Sequence, residues 1–443
     1  MTANNPDSKH RDSSPFNRTV QHNAKRAAIL SQAAQLFNYK GSRATTLKDI
    51  AESLGLTKTS LYYYVKTKED LIYQCYLAAL EHHIQSLNDI EAQHSSAIAR
   101  ASAFFLQHFE NWLAAQEGRG PHIAALLEIA ALKGEHRTEV EARYIELFKR
   151  LRGCIRQGVA DGSFRACEPN ATTRAILGSV DWTVSWLHNI PLAQVNATAK
   201  EALDILAHGI FAGDTEHTPA DISHENEQVA LLGGFDREAQ NRLKQVAFLK
   251  AGTWFFNKQG FNGTSLDEIA EHLNVSKGAF YYHICNKEDL LFRCYGHSLD
   301  IMERIHTQAA NSIGSGMQKA ELTCRRTFYV QNSDIGPLIR YNSITALPVE
   351  RRRQILKRTD KTNQQFGHFL SEGMVDGSVR AVNSYVAQQL IAGAINAAMN
   401  LSQWRKVDNI DSAAIDYFDV FFNGLLPRTA QPNTSTRESP RDQ

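Results

Sequence analysis

The chain has 443 residues, 43% of them apolar and 21% charged, which is enough apolar side chain for more than one core and excludes disorder over most of the length. Its 48 Lys and Arg against 47 Asp and Glu leave a net charge of +1, excluding a uniformly basic nucleic-acid coat but not a local basic face. No apolar run reaches the ~18 residues of a membrane span, the start carries no apolar signal core, and nucleotide-loop, hydrolase and zinc-protease signatures are absent. The six cysteines show no CxxC or metal spacing and read as reduced, mostly buried thiols of a cytosolic protein. No enzyme activity, cofactor, metal site or membrane partner is expected.

In chain order, residues 1–20 read as a polar, disordered arm. Ile29, Ala33, Leu36 and Phe37 then recur at helical spacing. Thr46, with Asp49 three residues on, marks a helix start. Leu47, Ile50, Ala51 and Leu54 place one apolar face on that short helix, and Gly55 ends it in a turn that needs a left-handed residue. Thr57 caps the next helix, Lys58 to Tyr64, with Leu61 turned inward. Two short helices joined by a tight turn form a helix-turn-helix, the unit that reads DNA grooves. Long helical segments follow to about residue 212, and a polar stretch with Pro219, Gly233 and Gly234 reads as a linker over 213–236.

The pattern then starts again. Phe248, Gly252, Phe255 and Phe256 repeat the first helix. Residues 41–76 align with 260–295 at a constant offset of 219, with 16 identities in 36 positions. Ser265 and Ser276 take the capping places, Ala270 the crossing place, and Phe280 the inward one. Asn274 replaces the turn glycine, a mild change because Asn tolerates the left-handed conformation. Further on, Gly158–Ala166 matches Gly373–Ala381 at an offset of 215. The chain is one unit of about 210 residues written twice. No alternating strand pattern is visible, so the expected fold is all-α: two tandem units, each a helix-turn-helix domain with a helical ligand-binding and dimerisation domain. The boundaries are a disordered arm (1–20), a first DNA-binding domain (21–76), a first regulatory domain (77–212), a linker (213–236), a second DNA-binding domain (237–295), a second regulatory domain (296–426) and a disordered tail (427–443).

Thr46–Tyr64 with Lys68-Glu-Asp-Leu71, and Ser265–His283 with Lys287-Glu-Asp-Leu290, resemble the DNA-binding domain of the TetR/AcrR family of bacterial transcriptional regulators over about 50 residues per copy. Two copies in one chain depart from the family's usual single copy acting as a homodimer. The resemblance implies that Thr46 and Ser265 cap the second helix and touch phosphate. Lys58, Thr59, Ser60, Lys277, Gly278 and Ala279 would face base edges. Tyr62, Tyr63, Tyr281 and Tyr282 would pack or reach phosphates, and Lys68 and Lys287 would hold the DNA backbone. Phosphate contacts set register and base contacts set sequence. Residues 18–70 carry nine Lys and Arg against four Asp and Glu, a charge of +5, and 237–289 carry seven against six, a charge of +1. The first domain is therefore expected to bind DNA more strongly, and the unlike pairs 59/278 and 60/279 predict unlike half-sites.

The resemblance further implies a four-helix pairing, for which Ala171–Asn189 with Ala197–Phe211 and Tyr385–Trp404 with Ser412–Leu425 are candidates. Ala392, Gly393, Ala394, Ala397 and Ala398 either permit close helix approach or fill an ordinary core. Pairing inside one chain gives a pseudo-dimer, and pairing between chains gives a homodimer with four reading heads. Phe105, Phe109, Trp112, Phe328 and Tyr329 are candidates to line a pocket for a small-molecule effector, or to be core. The expected function is a bacterial, cytoplasmic, nucleoid-associated regulator of double-stranded DNA, with repression relieved by a ligand. The alternative is an adaptor or activator whose second DNA-binding domain is degenerate and binds a protein partner.

Overall fold

In the computed structural model of the chain, residues 15–42, 44–126, 129, 132–222, 237–398 and 409–428 are described. The first half contributes α1 (Pro15–Lys40), α2 (Leu47–Ser53), α3 (Lys58–Tyr62), α4 (Lys68–Gln93), α5 (Ala97–Gln116), α6 (Gly134–Asp161), α7 (Pro169–Asp181) and α8 (Val195–His208). The second contributes α9 (Arg237–Gly263), α10 (Leu266–His272), α11 (Lys277–His283), α12 (Lys287–Asn311), α13 (Gly316–Asn332), α14 (Val349–Asp376), α15 (Ser384–Ala397) and α16 (Ile410–Asn423). Each helix of the first half has its counterpart eight places on. Among the described residues the only extended pairing is a single bridge between Phe211 and Val379, so the fold is all-α.

Helix α1 begins at Pro15, inside the stretch expected to be a disordered arm. Residues 1–14 and 429–443 lie outside the described residues, as does 223–236 of the linker. The described part of that linker is clasped onto the second half. Glu321, 1% exposed, lies 2.9 Å from His217 Nε2 and 2.6 Å from the Arg325 guanidinium, which also donates to the Ala220 carbonyl and to Asp411. Paired charges of this kind tolerate burial; one partner alone would not.

The two halves meet through α7 and α8 against α15 and α16, and the contacts are reciprocal. Leu425 N–H donates to Leu206 O, and Ile210 N–H to Phe421 O, both at 2.9 Å. Each donor or acceptor is the other's equivalent at the offset of 215. Arg165 Nε donates to Gly424 O at 2.7 Å, Arg380 Nε donates to Gly209 O, and the same two guanidiniums pair with Asp419 and Asp204. Contact of a surface with its own copy is the signature of a two-fold axis; here the axis is approximate and internal to one chain. It passes where α7 crosses α15 at equivalent glycines. A Cβ on Gly178 would lie 2.5 Å from Ala397 Cβ, and one on Gly393 would lie 2.8 Å from the Gly178 carbonyl oxygen. Gly393, Ala394 and Ala397 of α15 therefore serve close approach, while Ala392 faces a cavity.

The paired helices are shorter than expected. Helix α7 stops at Asp181, and 3₁₀ turns carry the chain through Thr183–Ser185 and Leu187–Asn189. This path buries Trp186 to 1% exposure against Phe109 and Tyr385, and burying so large a side chain outweighs continued helix. Helix α15 ends at Ala397; residues 399–408, which include the expected Trp404 end, lie outside the described residues.

Candidate nucleic-acid interface

The site is built from helix ends. Thr46 Oγ1 accepts from Asp49 N–H at 3.1 Å while Asp49 Oδ2 accepts from Thr46 N–H at 2.7 Å, closing a reciprocal cap on α2. Those hydrogen bonds hold the Asp49 carboxyl below its ordinary range. Thr57 caps α3 through Ser60 N–H at 3.1 Å. In the second half Ser265 and Ser276 cap α10 and α11. Gly55 turns at φ +64° and Asn274 at φ +52°, so asparagine does fill the glycine's conformational place. Ala51, Ala270, Leu61 and Phe280, each at most 1% exposed, lock the helix pairs together. This packing fixes the outward residues of α3 and α11 in space.

Lys58, Thr59 and Ser60 on α3, and Lys277, Gly278 and Ala279 on α11, are exposed. So are Tyr62, Tyr63, Tyr281 and Tyr282, with Tyr63 at 77% and Tyr282 at 85%; none is core. Thr46 is exposed and Ser265 half-buried beside the same faces. Lys68 and Lys287 open α4 and α12 and are half-buried. Lys287 is drawn inward: Nζ donates to Thr264 O at 2.9 Å and sits 4.6 Å from the centre of the Phe261 ring. Lys58 lies 5.6 Å from the Tyr62 ring centre.

The heads differ at a position that sequence reasoning passed over. Asp267 stands where the first head has Lys48. Its Oδ2 lies 2.6 Å from Lys277 Nζ, and its Oδ1 accepts from Tyr281 OH at 3.2 Å. One carboxylate thus occupies two exposed groups of α11. The hydrogen bond from Lys277 leads the forces lowering its pKa. Lys48 instead pairs along its own helix with Glu52 at 3.5 Å. The charge reversal was present in the alignment at offset 219.

A second missed pair joins each head to its body. Asn38 donates to Ile123 O at 2.7 Å and accepts from Ala125 N–H at 2.9 Å. Asn257, 219 residues on, donates to Leu338 O and accepts from Arg340 N–H, both at 2.9 Å. Extending the repeat upstream through Phe37-Asn38 and Phe256-Asn257 would have exposed it.

The structure places the five expected effector-pocket residues in different settings. Phe105, Phe109 and Phe328 are at most 2% exposed and belong to the shared central core. Tyr329 packs on a satellite cluster with Ile301 and Val330. Trp112 lines a wide cleft between the halves, of about 1530 Å³. None of the five lines a smaller cavity of about 120 Å³, formed by the second half with Trp182 of the first. Phe105, Phe109 and Phe328 supply area for burial rather than a lining.

Comparison with known proteins gives the following. The model described as "Bacterial regulatory proteins, tetR family" matches residues 29–75 and again 248–294, and "Tetracyclin repressor-like, C-terminal domain" matches 105–210. The transcriptional repressor KstR2 of Mycolicibacterium smegmatis is 30% identical over 144 residues, 32% of this chain and 68% of that protein. KstR2 of Rhodococcus jostii is 26% identical over 203 residues, covering 44% of this chain and 96% of that protein. The structure of the ketosteroid regulator KstR2 of Mycobacterium tuberculosis matches at 22% identity over 41% of this chain and 93% of that one, with a TM-score of 0.35.

Proposed function

The chain belongs to the TetR family of bacterial regulatory proteins, and we propose that it is a DNA-binding transcriptional repressor that reads one operator with both heads of a single chain. The observation that carries this is the reciprocal pairing of α7 and α8 with α15 and α16, which yokes two capped helix-turn-helix units about an internal two-fold. Residues 21–76 and 237–295 act as heads, 77–212 and 296–426 as regulatory bodies. The residues meeting DNA are the exposed ones on α3 and α11, with Thr46, Ser265, Lys68 and Lys287 at the backbone. Both heads match the same DNA-binding model, so an adaptor with a degenerate second head is not favoured.

Consecutive major-groove faces lie about 34–36 Å apart. A ligand that prefers a state with another head spacing releases the operator by population shift. Repression relieved by a small molecule is the regulatory mode we assign, with the cytoplasm and its DNA as the place of action. Among the described residues no helix is long and apolar enough to cross a membrane.

Selection of genomic fragments by the purified chain, followed by footprinting, tests the reading. A single site with two unlike half-sites about one helical turn apart is expected. Paired palindromes would instead indicate two chains with four heads, and no enrichment at low salt would overturn DNA binding itself.

A further inference from the structure

On the reading that this chain responds to a small molecule, we propose that it holds a single effector site, built mainly by the second half, and that the site takes a neutral, one-ring alcohol or phenol. The cavity of about 120 Å³ lies among α12, α13, α14 and α15, with Trp182 of the first half in its wall. An apolar protein cavity of about 150 Å³ holds benzene, so this smaller one admits at most a single ring. No Asp, Glu, Lys or Arg lines it, and a charged ligand would lose its hydration without a counter-charge.

The lining's polar groups are mostly occupied by the protein. Ser298 Oγ accepts from Ile339 N–H and Gln331 Oε1 from Leu338 N–H, each at 2.9 Å, while Tyr341 OH meets Thr359 Oγ1 at 2.6 Å. His306 differs: it is 2% exposed, yet its Nδ1 has no partner. Burial pushes the ring's pKa down to about 4, against a raising hydrogen bond to the Thr362 backbone. The ring is therefore neutral, one nitrogen a donor and the other an acceptor, and Nδ1 lacks a partner in either tautomer. A ligand hydroxyl, which both donates and accepts, satisfies it in either case.

The first half has lost this site by filling it. At the same helix positions, Leu87 stands for His306, Phe104 for Thr323, Tyr144 for Thr359 and Phe148 for Asn363. Leu87, Phe104 and Phe148 are at most 5% exposed within one apolar core, against which Tyr144 packs. The cavity's wall also touches both heads. Tyr341 lines it and opens a 3₁₀ turn through Ala346. Thr345 of that turn lies so close to Gly41 of the first head that a Cβ there would come within 2.4 Å. Leu338 and Arg340, just before it, clasp Asn257 of the second head. An occupant that shifts this wall shifts both heads.

Calorimetric titration of the full chain with phenol, cyclohexanol, toluene and benzoate, with operator affinity measured on the same sample, tests this. One phenol or cyclohexanol per chain is expected, toluene about tenfold weaker for want of a hydrogen bond, benzoate not at all, and operator released on binding. His306→Leu, the first half's own residue, should equalise phenol and toluene. Ala392→Phe should abolish binding of all four while the unliganded chain still holds its operator. Two ligands per chain, toluene equal to phenol in the parent protein, preference for benzoate, no binding by any of the four, or binding without operator release would each overturn the proposal. Failure of the unliganded chain to bind operator would strike the regulatory reading instead, and the titration would still judge the cavity.

Discussion

Lys48 and Asp267 occupy the same place in the two copies, and the exchange changes what the neighbouring recognition helix can offer. In the first head Lys58 leans on Tyr62 and faces solvent. In the second, Lys277 is held at 2.6 Å by Asp267, which also engages Tyr281. Both partners are well exposed, so the pair stabilises the fold little; its consequence is for binding. On the proposed reading, DNA must compete with Asp267 for Lys277, and a carboxylate near phosphate is itself repelled. Asp267→Lys should raise affinity for the second half-site about tenfold at moderate salt and steepen the salt dependence by about one to two phosphates. Fluorescence anisotropy on an isolated half-site duplex across a salt series measures both. An unchanged salt slope would show that Asp267 lies outside the DNA footprint. Asp267→Asn should move affinity the same way by less, because it frees Lys277 without adding a cation.

At the scale of elements, the short helices of each head were legible in the sequence because their ends are written in single residues: Thr46 and Thr57 as caps, Gly55 and Asn274 as left-handed turns. The end of α7 was not. Nothing local between Trp182 and Asn189 forbids helix; the break follows from where Trp186 is buried, which is a tertiary fact. The cavity among α12, α13, α14 and α15 was not legible for a related reason: its signal is a set of smaller or more polar residues in one copy than in the other, visible only by comparing the halves position by position. Glycines divide in the same way. Gly178 and Gly153 both lie inside helices, but only the first is pressed against a partner. Gly178→Leu should cost about 1–3 kcal/mol or more through overpacking and weaken two-headed DNA binding with it. Gly153→Ala, with nothing within 4 Å of its new Cβ, should stabilise by about 0.5–1 kcal/mol. Thermal melts of the two variants beside the parent decide; destabilisation of similar size in both would contradict the placement of the α7–α15 crossing.

For the whole molecule, duplication has turned a self-complementary interface into an internal one. Two heads on one chain assemble without the translational and rotational entropy that separate chains lose on association. It also frees each half to diverge, since a substitution no longer appears on both sides of the axis. Asp181 illustrates this. Its equivalent at the offset of 215 is Asn396, whose Oδ1 accepts from Tyr341 N–H at 3.3 Å. Asp181 itself faces the cleft between the halves, where burial pushes its carboxyl up to about 7 against the pull of Arg174 and Arg340. Those two guanidiniums are engaged by carbonyls of the opposite or adjoining helix end, Arg174 with Ala397 O and Arg340 with Asn396 O, so the carboxyl is left in a setting that favours its neutral form. The folded chain then holds this proton more tightly than the unfolded chain, whose Asp titrates near 3.9. The stabilisation it gives is complete below pH ~4 and is lost as pH rises through about 7. Asp181→Asn keeps the neutral form at every pH. The variant should match the parent near pH 4.5 and exceed it by on the order of 2 kcal/mol at pH 8, read as a melting-temperature gap that widens steadily between those values. A gap that closes or inverts with rising pH would mean that Asp181 is ionised and serves as counter-charge to Arg174 and Arg340, so that its removal strips two cations at the junction of the halves.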